Sequence, residues 1–272
     1  MSNRQQPEAA ADDVVRLAAR AHERDRYLAA LLSPRAARSD LIALAAFAGE
    51  VGRIPLYVRE PMMGRIRLQW WRERIESGTS GGHPIAGAMI AVANRHRLPV
   101  EHLLALIDAH EDCLEDRPFA DEAALLAYVD RIDGGLFATA GHICGANSEP
   151  AFATHAGRAY GLARIALEAP AALAIGRILL PANGLANTIE LHDLRPVLSQ
   201  VAAMARHNIA ACVSPLRRLP RATRAPYLPL ALVEPYLQAL EQKQMRPGVV
   251  IDVSPLTRAW ALLRCSWTGK AR

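Results

Sequence analysis

Lysine is nearly absent from this sequence. Lys243 and Lys270 are the only two, so the net charge of +5 is carried almost wholly by arginine. Those arginines are scattered along amphipathic segments beside Asp and Glu, with no basic stripe interleaved with aromatics, which argues against nucleic acid as a partner. Long apolar runs are also missing: no uncharged stretch approaches the roughly 18 residues that a membrane span needs. The N-terminus, "MSNRQQPEAAADDVVRLAAR", has no apolar signal core, and its acidic residues are unlike an organelle presequence. The expectation is a soluble, cytoplasmic protein with no transmembrane segment. The four cysteines, Cys113, Cys144, Cys212 and Cys265, stand far apart with no C-x-x-C pair, as expected of small buried thiols in a reducing compartment. A Walker A loop, G-x-G-x-x-G, H-E-x-x-H and G-x-S-x-G are all lacking, and the nine histidines are dispersed without ligand spacing.

What the sequence does contain is helical periodicity. Asp12 or Asp13 caps a first helix reaching Leu32, where Pro34 follows, and Ser39 or Asp40 caps a second that stops near Pro55. A third starts at Pro61, with Met62 or Met63, Ile66 and Trp70 on one face, which reads as the core face with Trp71 beside it. The stretch Glu76 to Pro84 is a loop, and further helices fall at 84–95, 99–116, 120–145, 150–168, 194–213, 224–243 and 255–267. The run "GVVIDV" at 248–253 is strand-like but has no apparent partner, so it reads as a connection. These segments describe one all-α domain.

Several groups could carry chemistry. Asp108, Glu111, Asp112, Glu115 and Asp116 form an acidic cluster, readable as an Mg²⁺ site or as a solvated helix end helped by Arg117. The glycines of 120–145 (Gly134, Gly135, Gly141, Gly145) each cost about 0.5–1 kcal/mol inside a helix, which implies close packing or room for a ligand. Glu50 and Arg53 are spaced to pair, as are Arg72 and Glu76. Arg164, Glu168 and Arg177 lie among small apolar residues in "GLARIALEAPAALAIGRILLP", with Pro170 just beyond the carboxylate.

Three stretches together, residues 26–75 with "LQWWR", 127–181 with "AYVDRIDGGLFATAGHICG" and "GRILLP", and "YLPLALVEPYLQALEQ" at 227–242, resemble the squalene/phytoene synthase family. The resemblance implies an isoprenoid-synthase-like helical bundle over 20–267, preceded by an extension at 1–19 and followed by a tail at 268–272. Active members join prenyl diphosphates held by Mg²⁺ on two aspartate-rich motifs. Laid on this sequence, the first motif falls on Gly52, Arg53 and Leu56, and the second on Glu168, Ala171 and Ala172, so a single carboxylate survives. The pattern is closer to a branch without these motifs, which includes the mitochondrial assembly factor for respiratory complex I.

The resemblance therefore implies a catalytically degenerate protein with no catalytic residue, no metal and no cofactor. It would act in binding or assembly, with subunits of respiratory complex I (NADH:quinone oxidoreductase) as partners and peripheral contact with the inner membrane. One alternative is a prenyltransferase that clamps a diphosphate with arginines, Mg²⁺ entering only in that case. Another is non-catalytic binding of an isoprenoid or other lipid such as a quinone in the retained cavity. By the same placement Glu50, Arg53, Tyr128, Arg164, Glu168 and Arg177 form the degenerate pocket.

Overall fold

A computed structural model describes residues 5–58, 60–115, 117–146, 149–182, 194–242 and 251–271. Thirteen α-helices are seen among them. The N-terminal half holds α1 (Gln5–His22), α2 (Arg24–Leu31), α3 (Arg35–Tyr57), α4 (Pro61–Ser77), α5 (Pro84–His96), α6 (Val100–Glu111), α7 (Glu122–Val129) and α8 (Gly135–Ile143). It is followed by α9 (Pro150–Ala174), α10 (Leu194–Arg218), α11 (Arg221–Arg224), α12 (Val233–Gln242) and α13 (Pro255–Thr268). Among the described residues no strand forms; the one β-bridge joins Phe119 to Pro181. Among the described residues no helix is long and apolar enough to cross a membrane.

The core is built around α3 and α9. Both are apolar on almost every side, which marks a helix enclosed by others: α3 is buried continuously from Asp40 to Gly49, and α9 is buried from Ala159 to Ala163. Helix α9 packs against α8, α10, α12 and the segment before α8, while α3 packs against α1, α2, α5 and α6. Small residues make this possible, since Ala and Gly on α9 let the neighbouring backbones approach.

The helix boundaries differ from the sequence reading where a tertiary contact overrides local signals. The expected 12–32 helix is two helices, α1 and α2, broken at Glu23, whose φ of −133° and ψ of 56° lie outside the helical region. Helix α3 starts at Arg35, so Asp40 is no cap. It is buried inside the helix, where His96 (2.7 Å) and Arg95 bind its carboxylate and tie α3 to α5. Proline ends neither α3 nor α9: Pro55 and Pro170 both sit in the last turns, where the chain runs on to Tyr57 and Ala174. A missing N–H is tolerated there because packing holds the helix in place. Helix α6 ends at Glu111, short of 116, and α10 runs on to Arg218. The 224–243 segment is a 3₁₀ run, Ala225–Leu232, followed by α12. Of the 248–253 run, residues 248–250 lie outside the described residues, and Ile251 to Val253 form no strand.

Helix α4 corrects the sequence reading most plainly. Its buried face is Gly64, Leu68, Trp71 and Ile75, whereas Met62, Met63 and Ile66 are exposed and Trp70 is half-buried. Gly64 decides the rotation: a Cβ there would meet Leu114 at 2.3 Å, so this face presses closest to the core. Trp71 then meets Phe47 edge-on at 5.5 Å.

The 120–145 stretch is interrupted by a π-helical turn, Asp130–Gly134, between α7 and α8. The extra residue per turn swings Asp133 inward, where it is 2% exposed. Glycines on α9 accommodate the turn: a Cβ at Gly157 would lie 2.3 Å from the Gly134 nitrogen, and one at Gly161 would lie 2.5 Å from Asp133 Oδ2.

Candidate functional site

A cavity of about 280 Å³ opens between α1, α3, α6, the π turn, α9 and the loop after α9. Five of the six residues expected at the pocket line it: Arg53, Tyr128, Arg164, Glu168 and Arg177. The sixth, Glu50, lines an adjoining outer groove of about 360 Å³ together with Arg53, Tyr57, Trp70 and Trp71. Glu50 and Arg53 form the expected i,i+3 pair at 3.0 Å, and Arg53 also reaches His22 Nε2 at 3.2 Å. Arg177 is buried and donates to the Cys113 carbonyl at 3.1 Å, which fixes the "GRILLP" loop against the end of α6.

The residues that set the electrostatics of the cleft were not all legible in the sequence. The two motif positions have indeed lost their carboxylates, yet the cleft is not stripped of acids. Glu23 lines the cavity from the α1–α2 break, and Asp133 stands just behind Arg164. Asp133 accepts from Arg26 at 2.7 Å on one oxygen and from Arg164 at 3.2 Å on the other. Arg26 Nε faces Glu23 at 3.3 Å, and Arg164 reaches Glu168 at 3.4 Å. Three carboxylates and two guanidiniums thus alternate along one wall, each acid held by an arginine. Arg26 also lies over the Phe137 and Tyr160 rings, at 4.7 and 5.3 Å from their centroids.

Protonation follows from this enclosure. Burial pushes the Glu23 carboxyl up to about 7, with Arg26 and Arg164 only partly opposing it. The Glu168 carboxyl, half-exposed at the cavity wall, is raised by desolvation against the pull of Arg164. His110, on α6, is driven down to about 3 by burial and by Arg164, so its ring is neutral. Tyr128 is held as the phenol by burial.

An Mg²⁺ ion bound through carboxylates does not suit this donor set. Gly52 and Leu56 offer no ligand where the first motif would supply one, and Arg53 places a cation between them. The carboxylates that do reach the cleft are already bound by guanidiniums, which attract them as a metal would and block its approach. Among the described residues no three His, Cys, Asp or Glu side chains are grouped to hold a metal ion. The acidic cluster of α6 is likewise spent on surface pairs: Arg65 with Glu111 (3.9 Å) and Glu115 (3.1 Å), Arg72 with Asp108, and Arg131 with Asp112 (2.6 Å). Arg72 therefore crosses to α6 instead of pairing with Glu76, and Asp116 lies outside the described residues.

Behind the cleft a second buried network holds the bundle closed. Asp25 accepts from the hydroxyls of Tyr160 (2.7 Å) and Tyr236 and pairs with Arg258 at 2.7 Å, and Arg258 also binds Asp252 at 2.7 Å. This ties α2 to α9, α12 and α13.

The family model for squalene/phytoene synthase matches residues 19–257. Relatives include the bovine (Bos taurus) protein named NADH dehydrogenase (ubiquinone) complex I, assembly factor 6, 26% identical over 238 residues, which cover 82% of this chain and 72% of that one. The human (Homo sapiens) protein of the same name is 28% identical over 148 residues, covering 53% and 44% of the two chains. Among solved structures, the fold is shared with the squalene synthase HpnC from Alicyclobacillus acidocaldarius, with a TM-score of 0.73 and 18% identity over 89% of this chain and 97% of that one. A ligand-bound dehydrosqualene synthase matches equally well, at 0.73 and 14% identity over 95% and 96%.

Proposed function

From the premise that this chain belongs to the squalene/phytoene synthase family, we propose that it has kept the family scaffold without the family chemistry and acts as a binding or assembly factor. Respiratory complex I is the assembly its relatives' name indicates. The observation that carries this reading is the alternation of Glu23, Arg26, Asp133, Arg164 and Glu168. In a diphosphate site the arginines would have to be available to the leaving group and the carboxylates to the metal. Here Arg26 and Arg164 each pair with two of the three carboxylates, so these acids are engaged where a metal would need them. The protein uses no metal and no cofactor in this role, and Arg53, Tyr128, Arg164, Glu168 and Arg177 shape the cavity without performing a reaction.

An exposed apolar cluster supports the interaction role. Leu56 and Tyr57 at the end of α3, and Met62, Met63 and Ile66 at the start of α4, are between 46% and 66% exposed. Side chains of this kind gathered at one corner mark a contact surface, here for a protein subunit at the face of the inner membrane. Deleting the gene and comparing assembled respiratory complexes with isoprenoid products tests the proposal. Loss of assembled complex I with an unchanged isoprenoid profile is expected; an intact complex with a missing isoprenoid product would contradict it.

A further inference from the structure

His110 is a buried polar residue on the cavity wall that none of the charge pairs of the cleft includes. It is 7% exposed and lines the cavity, yet its imidazole makes no hydrogen bond to any described residue. Its ring opens onto the cavity, where a ligand or water can bond the ring nitrogens. The ring lies flush against Gly52, where a Cβ would come to 3.5 Å from both Cε1 and Nε2. The absence of a side chain at Gly52 keeps the space beside the imidazole open.

A second neutral donor stands next to it. Tyr128 is 8% exposed, and its ring meets the His110 ring edge-on with centroids 6.3 Å apart. Imidazole and phenol both remain uncharged here, each able to donate to an oxygen or accept from a hydroxyl. The neighbouring wall, Leu106, Ile132 and Leu136, is apolar. The guanidiniums around the cavity are engaged: Arg26 and Arg164 pair with Glu23, Asp133 and Glu168, Arg53 pairs with Glu50, and Arg177 donates to the Cys113 carbonyl.

Size indicates the rest of the ligand. At about 280 Å³ the cavity sits at the small end of ligand sites, which start near ~300 Å³, so it suits a head group and a short length of chain. The outer groove of about 360 Å³ shares Arg53 and Tyr57 with it and continues past Ile54 to Trp70 and Trp71, offering an apolar track for a longer chain.

We propose that this cavity binds a neutral lipid with a carbonyl or hydroxyl head, the head hydrogen-bonded to His110 and Tyr128 and the chain leaving past Tyr57 along the outer groove. This rests on the reading that the cleft performs no diphosphate chemistry, and it is independent of the assembly partner. Calorimetric titration of the full-length protein with a decyl-substituted benzoquinone, with farnesol and with farnesyl diphosphate tests it. At least one neutral probe binds, and farnesyl diphosphate binds at least about tenfold more weakly than farnesol. Tighter binding of the quinone identifies a carbonyl head; tighter binding of farnesol identifies a hydroxyl.

Tyr128→Phe, which keeps the ring and its packing, weakens the preferred probe by about five- to tenfold, the loss of one hydrogen bond. His110→Leu has a similar effect, and Gly52→Leu, which fills the space beside the imidazole, abolishes binding; melting curves show that each variant is folded. The assignment is overturned if neither neutral probe binds, if farnesyl diphosphate binds more tightly than both, or if Tyr128→Phe binds as the parent does. Pyrophosphate release from farnesyl diphosphate, measured on the same samples, would instead overturn the non-catalytic reading. Absence of both turnover and lipid binding removes only the ligand assignment.

Discussion

Asp133 is where the competing charges of the cleft meet, with Arg26 on one carboxylate oxygen and Arg164 on the other. Removing one member of a buried ion pair leaves its partners uncompensated and costs about 3–5 kcal/mol, whereas an exposed pair contributes under ~1 kcal/mol. Asp133→Ala is therefore expected to lower the unfolding free energy by ~3–5 kcal/mol in urea. Glu168→Ala, at the half-exposed end of the same chain of charges, is expected to change it by less than ~1 kcal/mol.

Glu23 gives the wall a pH dependence. Its carboxyl rises from an ordinary 4.5 to about 7 on folding. The folded state thus holds the proton more tightly, and the stability this adds is complete below pH 4.5 and lost as the pH climbs to about 7. Glu23→Gln keeps the neutral form at every pH, so the variant should melt above the parent at pH 8, with the gap closing by pH 4.5. A pH-independent gap would contradict this. His110 acts in the opposite sense: its ordinary value of 6.5 falls to about 3, so its contribution is complete above 6.5 and lost on acidification. At this scale the sequence was partly legible. The Glu50–Arg53 pair follows from i,i+3 spacing alone, and the loss of the motif carboxylates follows from position. Glu23 is spaced i,i+3 from Arg26, but the groups that enclose it, the partners of Asp133 and the ring beside His110 come from other helices, and no spacing rule connects residues 23, 133 and 164.

Among the elements, the π turn at Asp130–Gly134 matters most to the cleft, because it aims Asp133 at α9. A regular helix through 120–145 would carry that carboxylate about 100° away for each residue of register change. Gly157 and Gly161 make room for the turn. Gly157→Ala would force a methyl to within 2.3 Å of the Gly134 backbone, which cannot yield as a flexible side chain does. A loss of at least ~1–3 kcal/mol is expected, measured by thermal or urea unfolding; a neutral substitution would mean that α9 and the turn are not in contact as described. Most helices and their order were legible from apolar periodicity, but α11 was not, and the first helix and the 120–145 segment each divide in two. Boundaries and faces failed where tertiary contact decided them: at Glu23, whose break splits the first helix, at Pro170, which α9 passes through, and at α4. That helix carries apolar residues on both sides, so periodicity alone could not tell Trp71 from Trp70.

The whole molecule combines an enclosed helical bundle, a cleft in which Arg26 and Arg164 pair with the carboxylates around them, and an apolar corner left open to solvent. The scaffold does not depend on the aspartate-rich motif positions. The Asp25–Tyr160–Tyr236–Arg258 network and the packing of α3 and α9 maintain the cavity without any motif carboxylate. The apolar corner of Leu56, Tyr57, Met62, Met63 and Ile66 gives a prediction at this scale. Replacing Met62 and Ile66 with glutamate should leave the melting temperature within about 2 °C of the parent, since surface substitutions change stability by under ~0.5 kcal/mol. The same change should abolish support of complex I assembly in a complementation assay, and full complementation by this variant would place the contact elsewhere.

The premise beneath all of this is that arginine and carboxylate have neutralised each other where a metal–diphosphate complex would form. Titration of the purified protein with a non-hydrolysable farnesyl thiodiphosphate, with and without Mg²⁺, measures that premise directly. Self-neutralised charges predict no Mg²⁺-dependent heat and weak binding that is the same in both buffers. Tight binding that appears only when Mg²⁺ is added would contradict it.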